Sequence, residues 1–125
     1  IPTFAEILDL RESLGREFGR APGVYPELKS PAAFRARGLD PEGALVRELA
    51  ARGLTGRDAP VIVQSFEPDS LRRLRPRLGV RLVQLLPLEG DADTPPPLPE
   101  LRDVATYADG IGVARSLLVG PGGQD

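Results

Sequence analysis

Histidine and cysteine are both absent from these 125 residues. Without imidazole the chain lacks the commonest general acid or base near neutral pH and the commonest ligand for transition metals. Without cysteine it has no disulfide and no thiolate metal site, and its redox compartment stays open, since secreted and cytosolic chains can both do without. No apolar run approaches the length of a membrane-spanning helix or of a signal-type core. The chain opens on Ile1-Pro2-Thr3 with no methionine and reads as clipped, so a missing leader carries no information. Lysine is nearly absent: one of sixteen basic side chains, Lys29, against fifteen arginines. Acids and arginines are interspersed, with a net charge of -2. There is thus no basic stripe of the kind that binds nucleic acid.

What is present, 41% apolar and 27% charged residues, suits one globular domain or part of one. Thr3 followed by Glu6 forms a capping-box signature, and Phe4, Ile7, Leu8, Leu14 and Phe18 recur at helical spacing up to Gly19. The short run Val24 to Leu28, bounded by turn residues, predicts a strand. Ser30 to Leu39 reads as a polar loop carrying Phe34. Asp40-Pro41 then supplies an N-cap and a proline at the first position of a helix running to about Arg52-Gly53. Val61 to Phe66, β-branched and flanked by Pro60 and Pro68, predicts a second strand. A helix follows with Leu71, Leu74 and Leu78 on one face, curtailed by Pro76. Val80 to Leu86 predicts a third strand. Residues 87–99, with five prolines and three acids, read as a surface loop. Leu101 to Tyr107 predicts a short helix, Asp109 to Val113 a fourth strand, and residues 120–125 a loose tail.

Alternation of helix and strand predicts an α/β fold with a parallel sheet. Near-continuous apolar strands predict a sheet buried on both faces. Four strands do not close a β/α barrel, which needs eight and about 250 residues. The expectation is therefore a fragment of a larger domain, with a self-contained four-stranded open sheet as the competing reading.

Functional groups in such folds collect at the C-terminal strand ends. There the sequence places Glu27 and Lys29, then Gln64, Ser65 and Phe66. Residues two apart on a strand share a face, so Tyr25, Glu27 and Lys29 should point together. By spacing alone, a bracing Glu27–Lys29 ion pair is the favoured reading over a site. Ser65 has no histidine to activate it, and a hydroxyl bonded to nearby backbone is the expectation. Asp109-Gly110-Ile111-Gly112 is too incomplete for a dinucleotide loop. Arg72, Arg73, Arg75 and Arg77 read as a solvated helix face.

Taken in order, Ile1-Pro2-Thr3-Phe4 with Glu6 and Leu8, Val24-Tyr25-Pro26-Glu27-Leu28-Lys29, Val63-Gln64-Ser65-Phe66, Arg81-Leu82-Val83-Gln84-Leu85 and Tyr107-Ala108-Asp109-Gly110-Ile111-Gly112 carry a resemblance. The chain resembles the glycerophosphodiester phosphodiesterases, particularly the larger bacterial periplasmic type. The resemblance implies a (β/α)8 TIM barrel, of which these residues would form the third to sixth strands, about four central units. It implies hydrolysis of a glycerophosphodiester to glycerol 3-phosphate and an alcohol. It assigns Glu27 as one carboxylate of a divalent-cation site for Ca²⁺ or Mg²⁺, Lys29 to the phosphate, and Phe66 to the glycerol pocket, with Phe34 an outside candidate for the same wall. The family's two catalytic histidines and its Glu-x-Asp pair are missing, so the piece alone is expected to be inactive.

Those roles make chemical sense. Phosphodiester displacement needs its nonbridging charge neutralised and its leaving oxygen stabilised, which a hard cation and an ammonium supply together. One carboxylate is only a partial ligand, because either cation takes six or more oxygens. A lone lysine among arginines fits a place where a compact, flexible charge is needed. The alternative is a non-catalytic α/β module binding a phosphate ligand. A periplasmic or secreted location follows from the resemblance only, and oligomeric state is open.

Overall fold

A computed structural model describes residues 1–86 and 100–114. The expected Pro-rich loop over 87–99 and loose tail over 120–125 lie outside the described residues.

Helix α1, Phe4–Phe18, starts on the capping box: the Thr3 hydroxyl accepts the Glu6 N–H, and the Glu6 carboxylate accepts the Thr3 N–H. It ends at Gly19, whose left-handed φ of 69° suits a residue without Cβ. Helix α2, Pro31–Arg35, occupies what the sequence presented as a polar loop. Five residues are too short for a periodic signal. Helix α3, Pro41–Ala51, has the expected Asp40 cap, with the side chain accepting the Gly43 N–H at 2.8 Å. Strand β1, Ile62–Ser65, precedes helix α4, Pro68–Leu74, which stops two residues before Pro76. Strand β2, Arg81–Leu85, helix α5, Leu101–Val104, and strand β3, Gly110–Gly112, complete the described elements.

The strands form a parallel sheet in sequence order, β1-β2-β3, with Ile62 opposite Arg81 and Val83 opposite Gly110. The predicted first strand, Val24 to Leu28, is not continuous. It lies along β1 through two isolated parallel bridges, Val24 to Val61 and Glu27 to Gln64. Proline chemistry explains the gap. Val24 N–H donates to Pro60 O, Ile62 N–H to Val24 O, Gln64 N–H to Pro26 O, and Leu28 N–H to Gln64 O, at 2.9 to 3.0 Å. A regular parallel ladder would add a bond from residue 26 to the Ile62 carbonyl, and Pro26 has no N–H to give.

Alternation along the strands settles the layering. Val61, Val63, Val80 and Leu82 pack with Leu45, Leu49, Leu71, Leu74, Val104 and Tyr107 into one core, joined by Leu8 of α1. The intervening residues Ile62, Gln64, Val83 and Leu85 are only half-buried and Arg81 is exposed. The expectation of burial on both faces is thus corrected: among the described residues the helices cover one face only. Helix α1 differs from expectation in the same way, since Leu8 alone is buried while Ile7, Leu10 and Phe18 are exposed.

Two polar networks fasten the elements. Asp109 accepts from Arg57, from Arg75 at 2.9 Å and from the Leu82 N–H at 2.8 Å. Burial, the largest single influence on this carboxyl, would raise its pKa, but the bonds from Arg57, Leu82 and Arg75 outweigh it and hold the group below the usual aspartate value. The same Arg75 donates to the Leu78 and Val80 carbonyls, and Arg72 lies 4.5 Å over the Tyr107 ring. Arg72, Arg73 and Arg77 are exposed, as a solvated face requires, but Arg72 also stacks on Tyr107 and the half-buried Arg75 braces the fold. Asp109, engaged by two guanidinium groups, begins a structural clasp and not a phosphate loop.

Candidate functional site

The C-terminal end of β1 and the bridged segment beside it converge on one hollow. Its volume is about 270 Å³, and Glu27, Leu28, Lys29, Ser30, Phe66 and Glu67 line it. Period-two alternation produces this convergence. Val24 and Leu28 pack against the core, which turns Tyr25, Glu27 and Lys29 to the uncovered face. Phe66 follows β1 at the same level and is 49% exposed, enough to present its ring to a ligand.

Among the described residues Glu27 and Lys29 form no salt bridge with each other or with any other side chain. The bracing ion pair that spacing alone allows is thus not made. An uncommitted carboxylate and an uncommitted ammonium share a hollow with an aromatic wall, where the pair can take a cation and an anion together.

A second hollow of about 410 Å³ adjoins the first across Phe66 and is lined by Tyr25, Gln64, Leu85, Leu86, Gly112, Val113 and Ala114. Gly112 lies against the Leu85 side chain. A Cβ at that position would sit 2.5 Å from Leu85 Cδ2, so a side chain there would have to shift the tip of the leucine. Gln64 faces this second space. Phe34, on α2, is exposed and lines neither hollow.

Ser65 behaves as its chemistry suggested. Its hydroxyl donates to Leu28 O at 2.9 Å and accepts the Glu67 N–H at 3.2 Å, tying the bridged segment to β1 directly beneath the hollow. Beside it the buried Gln84 amide donates to Ser65 O, Phe66 O and Leu85 O and accepts the Tyr107 hydroxyl. The Phe66 backbone is held from below by these bonds.

Glu67 was not legible as a site residue, because at the head of α4 it reads as an ordinary helix-start acid. In the structure its carboxylate reaches across to α2 and accepts the Ala32 N–H at 2.9 Å, with Arg35 3.8 Å away. Arg35 is bonded to the buried Glu42, which also accepts the Ser70 hydroxyl at 2.9 Å. Ser30, between Lys29 and α2, adopts a left-handed conformation, φ 48° and ψ 45°. That costs a residue with Cβ about 1–2 kcal/mol, and the proline that follows disfavours the helical region further.

As a cation site the hollow is incomplete. No group of three or more carboxylate, histidine or cysteine ligands occurs among the described residues. Glu27 can supply part of a coordination shell, not the whole.

No family profile matches the chain. A glycerophosphodiester phosphodiesterase of Haemophilus influenzae is 26% identical to it over 95% of the chain. The chain spans 39% of that relative's length. The likeness is distant but runs through nearly every element described above. Among the described residues no helix is long and apolar enough to cross a membrane.

Proposed function

We propose that this chain is the central part of a β/α-barrel hydrolase that cleaves glycerophosphodiesters to glycerol 3-phosphate and an alcohol, with the third to sixth barrel strands represented here. The observation that carries the proposal is the meeting of Glu27, Lys29 and Phe66 in one hollow at the C-terminal strand ends, in a chain distantly similar to a glycerophosphodiester phosphodiesterase. The sheet supports the barrel reading. Consecutive parallel strands in sequence order, helices on one face and half-buried apolar residues on the other are what an arc of barrel wall presents. So do the exposed Ile7, Leu10 and Phe18 of α1, which await a neighbouring unit.

In the reaction a water oxygen attacks phosphorus, the bond to the alcohol oxygen breaks, and the alcohol leaves carrying a proton. This chain contributes charge and shape. Lys29 neutralises a nonbridging phosphate oxygen and strengthens its hold as charge builds in the transition state. Phe66 packs an apolar face against the carbon skeleton of the glycerol. Glu27 would be one of several carboxylates holding Ca²⁺ or Mg²⁺, with the others supplied from outside these residues. When bound, such a cation would neutralise phosphate charge and stabilise the leaving oxygen. Proton transfer falls to groups this histidine-free chain does not contain, so the piece alone should not turn over substrate.

In the protein that carries this chain, Glu27→Ala should lower divalent-cation-dependent hydrolysis of glycerophosphocholine by about 10²-fold or more. Undiminished turnover would remove Glu27 from the metal site. Binding of glycerol 3-phosphate by the parent protein with neither turnover nor metal dependence would favour the non-catalytic binding module instead.

A further inference from the structure

We infer that Glu67 is a positioning residue for Lys29: its carboxylate caps helix α2 from outside and so locks the Lys29–Ser30 corner that aims the ammonium into the hollow. The inference rests on the hydrolase reading for the role of Lys29, but the clamp itself stands on geometry alone.

Helix α2 has no cap of its own. Ser30 occupies the N-cap position, yet its side chain makes no capping bond. The donors of the first turn are nonetheless all accounted for: Pro31 has none, Ala33 and Phe34 donate to Ser30 O, and Ala32 donates to Glu67 Oε2 at 2.9 Å. Removing the Glu67 carboxylate would leave the Ala32 N–H without its partner at the very turn where the backbone is left-handed and precedes proline. Such a conformation persists only when its surroundings impose it. Glu67 is the group that imposes it, because it reaches α2 from the loop after β1 and is itself fixed twice. Its N–H is held by Ser65 Oγ, and its carboxylate lies 3.8 Å from Arg35. Phe66 and Glu67 are consecutive, so one short loop sets both the aromatic wall and, through Ser30, the direction of Lys29.

The test uses Glu67→Ala, Glu67→Gln, Lys29→Ala and the Glu67→Ala/Lys29→Ala double variant of the protein that carries this chain. Amide hydrogen exchange at Ala32 is read beside calorimetric binding of glycerol 3-phosphate and hydrolysis of glycerophosphocholine. Expected for Glu67→Ala is exchange at Ala32 at least about tenfold faster with Val63 and Leu82 unchanged, and glycerol 3-phosphate binding about tenfold weaker. Glu67→Gln keeps an acceptor oxygen and should preserve both. Should Glu67→Ala not fold, Glu67→Met, which keeps the bulk without the acceptor, should show the same faster Ala32 exchange and weaker binding, and unchanged values in it would overturn the inference. In the Lys29→Ala background the Glu67→Ala change should cost nothing further, because a residue that acts through another is silent once that other is gone. Unchanged Ala32 exchange, or binding losses that multiply in the double variant, would overturn the inference. If the parent binds glycerol 3-phosphate but hydrolyses no diester, the hydrolase reading fails while the binding cycle still decides the role of Glu67. If it binds neither, both fall.

Discussion

Gln84 shows how much of the candidate site depends on a residue that never touches it. Its amide, 2% exposed, serves three carbonyls on two strand ends and takes the Tyr107 hydroxyl in return. Tyr107 is itself buried, and that burial, only partly offset by Arg72, pushes its phenol pKa up. Gln84→Met conserves volume but strands these partners. It should lower the free energy of unfolding by about 1–3 kcal/mol for each buried group left bare. Chemical denaturation measures this, and a loss below about 0.5 kcal/mol would show that water replaces the amide. Strand periodicity puts Glu27 and Lys29 on one face, but it is the family resemblance that singles out Glu27, Lys29 and Phe66 as site residues. Glu67 could not be picked out, since its bond from the Ala32 N–H joins positions 35 residues apart and no local pattern encodes it.

At the scale of elements, caps and prolines were the reliable marks. Thr3 with Glu6, Asp40-Pro41 and Pro76 bound their helices as side-chain chemistry dictates. The segment Val24 to Leu28 was legible as a partner of β1 but not as two bridges, because its continuity turns on a single missing donor. Pro26→Val restores that N–H opposite the Ile62 carbonyl. The new amide at position 26 should be strongly protected from exchange, and a freely exchanging amide would mean that the ladder stays open. Global stability should shift by less than about 1 kcal/mol, since the added bond, about 0.5–1.5 kcal/mol, is offset by the freedom the unfolded chain gains when proline is removed, about 0.4–1 kcal/mol. The short helix α2 escaped notice because one turn carries no periodicity.

Across the whole molecule, Asp109 ties β3, the start of β2, α4's C-terminal end and the loop before β1 into one clasp. Its folded pKa lies below the ordinary value, so the stability it contributes is complete above the unfolded aspartate pKa of about 3.9. That contribution is lost as the pH falls through the lower folded value. Unfolding free energy followed from pH 7 to pH 2 should therefore drop more steeply below about pH 4 in the parent than in Asp109→Asn, which starts lower at pH 7. Parallel slopes would remove Asp109 from the acid response. The α/β class and the parallel strand order were readable from alternation, whereas the uncovered face was not. Period-two apolarity shows which residues are apolar and is silent on whether a second layer exists to meet them.

The sequential strand order carries a kinetic consequence. Each strand pairs with the one next to it along the chain, so no pairing has to reach past an intervening strand. Loop-closure entropy then never accumulates from one strand to the next. Assembly can advance in the direction of synthesis, each β/α unit docking on the edge left by its predecessor, with the hollow around Lys29 already outlined once β1 has joined the segment before it.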